Sequence, residues 1–222
     1  MTTRSQNACR LAAALTAALA LGGCQLLWVS LERLFPQEKV PAKFKLPAKK
    51  TVLVFADDLQ NPVSYPPIKR ALNEKLSQLL KDKGLVAQTV SYDRLVDLQS
   101  ASPDFNLMSI PKIGRELGAD MVVYVNIEQF TLKDNLADTL WRGRFSGRVK
   151  VVDVLKGRIW PEESAGYPVK VIAPAAENTS DTFGGELARI LAENLAVEVT
   201  GLFHDHYVDR ARPKRTDFSL EQ

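Results

Sequence analysis

Two neighbouring segments, each patterned as a strand, constrain the fold of this chain more than any other feature. Met121–Leu132 reads MVVYVNIEQFTL and Trp141–Leu155 reads WRGRFSGRVKVVDVL, with the polar stretch Lys133–Leu140 between them. In the first, Met121, Val123, Val125 and Ile127 share one face, while Asn126 and Glu128 turn the other polar. In the second, Phe145, Val149 and Val151 alternate with Arg142, Arg144, Arg148 and Lys150. Successive strand side chains point to opposite faces, so this alternation describes strands with one wet face. Joined by a polar connection, they predict an antiparallel hairpin. Toward its end the second segment gains Val152 and Val154 on the basic face, which predicts a cover over that end.

The flanking sequence supplies the other elements. TVLVFA, from Thr51, is a short apolar run of the kind found in buried strands. Asp57–Pro67 carries three prolines and reads as a loop. From Ile68, apolar residues at Leu72, Leu76, Leu79 and Leu80 predict an amphipathic helix that Gly84 closes. LVAQTV predicts a second strand, and Tyr92–Leu98 and Ile110–Leu117 two short helices, the latter ending at Gly118. Lys156–Gly157 makes a turn and Tyr167–Ala173 a further strand. Asp181 or Thr182 caps a last helix whose stripe is Phe183, Leu187, Leu191, Leu195, Val199 and Leu202. The order predicts an α/β fold: a mixed, partly antiparallel sheet with helices packed on it, one domain over residues 51–203.

The N-terminus sets the expected compartment. Arg4 and Arg10 precede an uncharged Ala/Leu-rich run, Leu11–Leu21, which closes with Leu21-Gly22-Gly23-Cys24. About a dozen apolar residues fall short of the roughly 20 that span a bilayer. The layout is that of a signal peptide over residues 1–23, with a signal peptide lacking an anchor and a buried helix as the alternatives. The closing tetrapeptide resembles the lipobox of bacterial lipoproteins. That resemblance implies cleavage before Cys24 and acylation of its thiol, so that membrane lipid holds the chain through this residue. Gln25, in place of Asp, implies passage to the outer membrane, facing the periplasm. In Gln25–Phe35, Leu27, Leu31, Leu34 and Phe35 recur at helical spacing beside Trp28. This suits either a segment lying in the headgroup region or a short helix packed on the domain. Pro36–Lys50 reads as a Pro/Lys tether, completing a region 24–50 ahead of the domain. Residues 204–222 read as a disordered charged tail.

Composition and motifs then narrow the chemistry. The chain has two cysteines, Cys9 and Cys24, so a mature chain beginning at Cys24 keeps no thiol free of lipid. Removal of residues 1–23 takes two arginines and no acid from 29 basic and 26 acidic residues, leaving a net of +1. A near-neutral body is no footprint of nucleic-acid binding. The sequence holds no G-x-S-x-G elbow, phosphate-cradling Gly-rich loop or H-E-x-x-H helix, so no catalytic residues are assigned and no enzyme is expected. His204 and His206 flank Asp205 near a helix end, where imidazoles suit the negative pole, and no cofactor or metal is expected. Asp57 and Asp58 follow the first strand, where α/β folds place sites, but acids ahead of a Pro-rich loop are also ordinary turn residues. Asn178-Thr179-Ser180 matches a glycosylation pattern by chance. Arg142, Arg144, Arg148 and Lys150 form a positive stripe, either a surface for an anionic partner or a solvated face whose charges pair with Glu128 across the hairpin.

TVLVFADD, IGRELGADMVVYVNIEQF, GRVKVVDVLKGRIWP and a long last helix together resemble the domain shared by a group of envelope lipoproteins. The group includes the curli-secretion lipoprotein, the lipoprotein activators of penicillin-binding proteins, and the N-terminal domain of the Tol-system translocation protein. Its most specific residues here are Leu117-Gly118-Ala119-Asp120 and Val152-Asp153, and the likeness covers Thr51–Phe203. PAKFKLPAKK and Trp160-Pro161 are also similar to uncharacterised lipoproteins of planctomycete-type bacteria. A channel role is not expected, because membrane-crossing strands need about ten alternating residues and the Phe130–Arg148 region carries arginines on one face. The resemblance implies a non-enzymatic lipoprotein that binds an envelope protein or glycan in assembling or regulating a complex. The alternative is an auxiliary subunit of a transport or secretion system. Self-association is left open.

Overall fold

The computed structural model describes residues 37–60, 63, 65–133, 140–173, 175–177 and 182–209. The expected signal peptide, Cys24, the segment 25–35, most of the hairpin connection, Asn178–Ser180 and the expected tail from 210 lie outside the described residues. In chain order the elements begin with β1 (Gln37–Val40), β2 (Thr51–Asp57), α1 (Pro67–Asp82), β3 (Gln88–Thr89), α2 (Tyr92–Ala101), α3 (Ile110–Glu116) and β4 (Met121–Thr131). They continue with β5 (Leu140–Trp141), β6 (Arg144–Asp153), β7 (Gly157–Trp160), β8 (Tyr167–Ile172), β9 (Ala176–Glu177), α4 (Phe183–Gly201) and β10 (His206–Asp209).

The main sheet runs β3-β2-β4-β6-β7, with β8 also paired to β6. β2 lies parallel to β3 and β4, whereas β6 is antiparallel to β4, β7 and β8. The expected mixed α/β sheet is therefore present, and β4–β6 is the expected hairpin. Two apolar clusters sandwich it. On one face Val52, Val54, Met121, Val123, Val125, Ile127, Phe145, Val149 and Val151 pack with Leu72, Leu76 and Leu80 of α1 and Leu187, Leu191 and Leu195 of α4. On the other, Leu53, Phe55 and Val122 pack with Leu95 of α2, Phe105 of a short 3-10 turn, and Ile113 of α3. From β6 only Val152 joins this second cluster, with Val154 beside it. That end of β6 is covered, as its double apolar pattern predicted, and the basic remainder of the face is not part of either core.

The motif Leu117–Asp120 has a structural task. Gly118 takes φ of 71°, the left-handed conformation that stops a helix, and the Ala119 N–H returns to the Gly114 carbonyl at 2.9 Å. Asp120 then accepts the Thr51 N–H at 2.8 Å and the Lys50 ammonium at 3.4 Å, tying the start of β4 to that of β2. Asp153 accepts the N–H groups of Leu155 and Lys156 at 2.9 and 3.0 Å, which shapes the turn into β7.

Several expectations need correction. The strand expected over Trp141–Leu155 is shorter, Arg144–Asp153; Leu140–Trp141 instead pairs with Ala176–Glu177. Arg142 therefore precedes β6, and its N–H bonds the Leu132 carbonyl. The second strand narrows from LVAQTV to Gln88–Thr89, because only Thr51 and Val52 of β2 offer it partners. β7 was not anticipated. The stretch expected as a tether is partly built into the domain. Leu46 is buried, Phe44 packs on Trp160 at 5.8 Å, and the Leu202 carbonyl accepts the N–H groups of Lys43 and Phe44. Its scattered apolar residues have no period, so burial there depends on a partner that sequence pattern does not reveal. β1 and β10 pair as a separate two-stranded ribbon, placing regular structure in both the expected tether and the start of the expected tail.

Candidate functional site

The C-terminal end of β2 opens into a cleft of about 220 Å³ lined by Phe55, Asp57, Asp58, Lys69, Tyr92 and Phe105 among others. Asp57 and Asp58 both reach it, but each is already engaged. The Tyr124 hydroxyl donates to Asp57 Oδ2 at 2.6 Å, and the Leu59 N–H donates to Oδ1 at 3.1 Å. Burial, the largest influence, pushes the Tyr124 phenol up, and the Asp57 hydrogen bond and charge add to the rise. Asp58 accepts the Lys69 ammonium at 2.7 Å and the Val63 N–H at 3.1 Å. Burial alone would raise the Asp58 carboxyl, but the Lys69 hydrogen bond and charge, with the Val63 N–H, hold it below the usual carboxylate range.

Beside the cleft lies the half of the same sheet face that neither apolar cluster covers among the described residues. Register carries Asp57 to Asn126 and Arg148, and Phe55 to Tyr124 and Lys150. Arg144, Arg148 and Lys150 share this face of β6, since Phe145, Val149 and Val151 are buried on the opposite one. The stripe is thus assembled from three of its four expected members, with Arg142 set ahead of the strand. Arg148 is held from two sides. Its Nε donates to Glu128 Oε1 at 2.6 Å, and its Nη1 donates to the Gly166 carbonyl at 3.3 Å. Glu128 sits at a β-bulge, where the register of β4 against β6 shifts between Ile127 and Gln129, and is exposed. The pairing expected across the hairpin therefore exists for Arg148. Gly147 permits the close pairing at this point, since a Cβ there would lie 2.6 Å from the Asn126 carbonyl oxygen.

Sequence reading missed two contributors. Lys170 of β8, exposed and opposite Ser146 of β6, joins the basic face from a second strand. Its signal was the alternation Val169-Lys170-Val171, but only strand pairing places it beside Arg144 and Arg148. Ser146 was overlooked because a hydroxyl within a basic stripe has no pattern of its own. His204 and His206 have ring centroids 5.5 Å apart. His204 Nδ1 lies 2.9 Å from the Thr200 carbonyl, which satisfies a helix-end acceptor. Among the described residues no group of three or more His, Cys, Asp or Glu is placed to hold a metal, and no helix is long and apolar enough to cross a membrane.

No family model and no curated protein matches the chain. Solved structures do resemble it. The PelC dodecamer from Paraburkholderia phytofirmans is 12% identical, with 76% of this chain and 98% of that one covered and a TM-score of 0.40. Lipoprotein GNA1162 from Neisseria meningitidis is 12% identical, covering 66% and 98%, with a TM-score of 0.39. A minor lipoprotein from Acinetobacter baumannii is 15% identical, covering 69% and 91%, with a TM-score of 0.36. Two of these three are named as lipoproteins.

Proposed function

We propose that this protein is a lipid-anchored lipoprotein of the bacterial envelope whose α/β domain binds an anionic envelope component and takes no catalytic part. The observation that carries the reading is the part of the sheet face that neither apolar cluster covers among the described residues, which bears Arg144, Arg148, Lys150 and Lys170. A face left out of the cores and lined with cations attracts an anionic surface and orients it. Binding rather than catalysis is supported by the cleft, where Tyr124, Lys69 and backbone N–H groups already occupy the carboxylates of Asp57 and Asp58. The anchor rests on Leu21-Gly22-Gly23-Cys24, and Gln25 favours the outer membrane, facing the periplasm.

Recovery of the anchored protein with its partner from solubilised membranes tests the binding. Association is expected to weaken as salt rises and to be lost when Arg144 and Arg148 are both changed to Gln. An unchanged, salt-insensitive association of that variant would contradict the reading. For the anchor, Cys24→Ser is expected to abolish lipid labelling and move the protein to the soluble fraction; persistent membrane attachment would refute it.

A further inference from the structure

The open face has an internal geometry that a bare positive stripe lacks. Ser146 stands between Arg144 and Arg148 on β6, two residues from each, so about 7 Å separates successive members of this row. Directly opposite Ser146 on β8 is Lys170, and opposite it on β4 is Gln129, each at the roughly 5 Å spacing of cross-strand neighbours. A hydroxyl is therefore ringed by two guanidinium groups, one ammonium and one carboxamide, contributed by three adjacent strands. The surroundings hold Arg148 in place. Arg148 is fixed by Glu128 and the Gly166 carbonyl, contacts that leave further N–H groups of its guanidinium unused. Gly166, with φ of 97°, lies against the stems of Arg148 and Lys150, where an added Cβ would meet each at 3.1 Å.

We infer that this ring is a subsite for a phosphate monoester, with Ser146 at its centre and Arg144, Arg148 and Lys170 as the charged donors. The inference rests on the reading that the basic face receives an anionic partner, and it names the group on that partner. Donor number decides between oxyanions. A carboxylate offers two oxygens in one plane, whereas a phosphate monoester offers three terminal oxygens and a charge of about −1.5 to −2 near pH 7. Charged donors placed around one position from two strands, with the Gln129 carboxamide on a third, suit the three-oxygen group, and guanidinium and ammonium bonds to such oxygens are the strong, charge-assisted kind. The same group occurs on lipid headgroups and on free sugar phosphates.

Calorimetry or NMR titration of the full chain in detergent tests this with soluble probes. These are inorganic phosphate, glucose 6-phosphate and dihexanoyl phosphatidic acid as sources of the group, with dihexanoyl phosphatidylglycerol and glucuronate for comparison. The monoesters are expected to bind about tenfold more tightly than the diester or the carboxylate. Ser146→Ala and Lys170→Ala are each expected to remove that preference, and Lys170→Arg to restore it in part. Tighter binding of phosphatidic acid than of glucose 6-phosphate would assign the source to lipid, and the reverse to a sugar. Equal binding of all anions, unaffected by Ser146→Ala but lost on changing Arg144 and Arg148 together, would overturn the subsite while leaving the anionic-partner reading intact. Absence of binding to every probe, together with an unchanged partner association in the Arg144 and Arg148 variant, would overturn both.

Discussion

The Tyr124 hydroxyl donates to Asp57 Oδ2 at 2.6 Å, joining the middle of β4 to the last residue of β2. The bond crosses the line where the covered half of the sheet face gives way to the open half. Tyr124 packs edge-on to Phe55 at 5.5 Å on the covered side and is the register neighbour of Lys150 on the open side.

Tyr124→Phe removes a donor to a charged acceptor and is expected to lower stability by about 2 kcal/mol in urea unfolding. The native state favours the protonated phenol, because burial and Asp57 both raise its ionisation. Its contribution is therefore complete below the ordinary tyrosine value of about 10 and fades as pH rises beyond it. Ultraviolet titration of the wild type should show a phenol phase above the ordinary tyrosine value, and Tyr124→Phe should delete that phase.

Asp58 titrates in the opposite sense. Its native carboxyl lies below the usual value of 3.8, so the Lys69 contact stabilises the fold above that pH and is lost as pH falls further. Asp58→Asn should cost about 2 kcal/mol at pH 7 and flatten the decline in stability below about pH 4. Chemical denaturation at a series of acidic pH values reads both effects. A variant whose acid profile superimposes on the wild type would show that the ion pair contributes nothing.

Gly147→Ala should destabilise the domain by about 2–3 kcal/mol, since the added carbon meets a backbone carbonyl oxygen rather than a movable side chain. Gly84→Ala offers the contrast. No heavy atom lies within 4 Å of the added carbon, and the penalty comes from φ of 63° alone, about 1 kcal/mol. Thermal melts of the two variants should rank them in that order.

Glu128→Gln removes the carboxylate that engages Arg148 Nε. Both side chains are partly exposed, so the pair is a modest one, worth about 0.2–1 kcal/mol. Loss of that negative charge beside the basic row should raise affinity for an added anion about threefold at low salt, measured by titration with inorganic phosphate.

Much of this arrangement is legible from residue pattern. Alternation in β4 and β6 placed Val123, Val149 and Val151 inside and Arg144, Arg148 and Lys150 outside, because a two-residue period survives wherever one face is buried. Gly118 marked the end of α3 because a left-handed helix stop favours a residue without a Cβ. Even the most specific residues of the family resemblance, Gly118, Asp120 and Asp153, turn out to set turns and tie strands together. They mark the fold, which is why they say little about a ligand.

The sequence by itself determined the mixed sheet, the helix faces and three of the four residues it assigned to the basic row on β6. Each of these follows from local periodicity and from residues that favour or refuse a backbone conformation. Only the tertiary structure decided that Lys170 stands opposite Ser146, that Glu128 bulges out to meet Arg148, and that Phe44 and Leu46 belong to the domain. These are contacts between segments far apart in the chain, fixed by strand pairing and by the space left between packed elements. No periodicity along the chain encodes them.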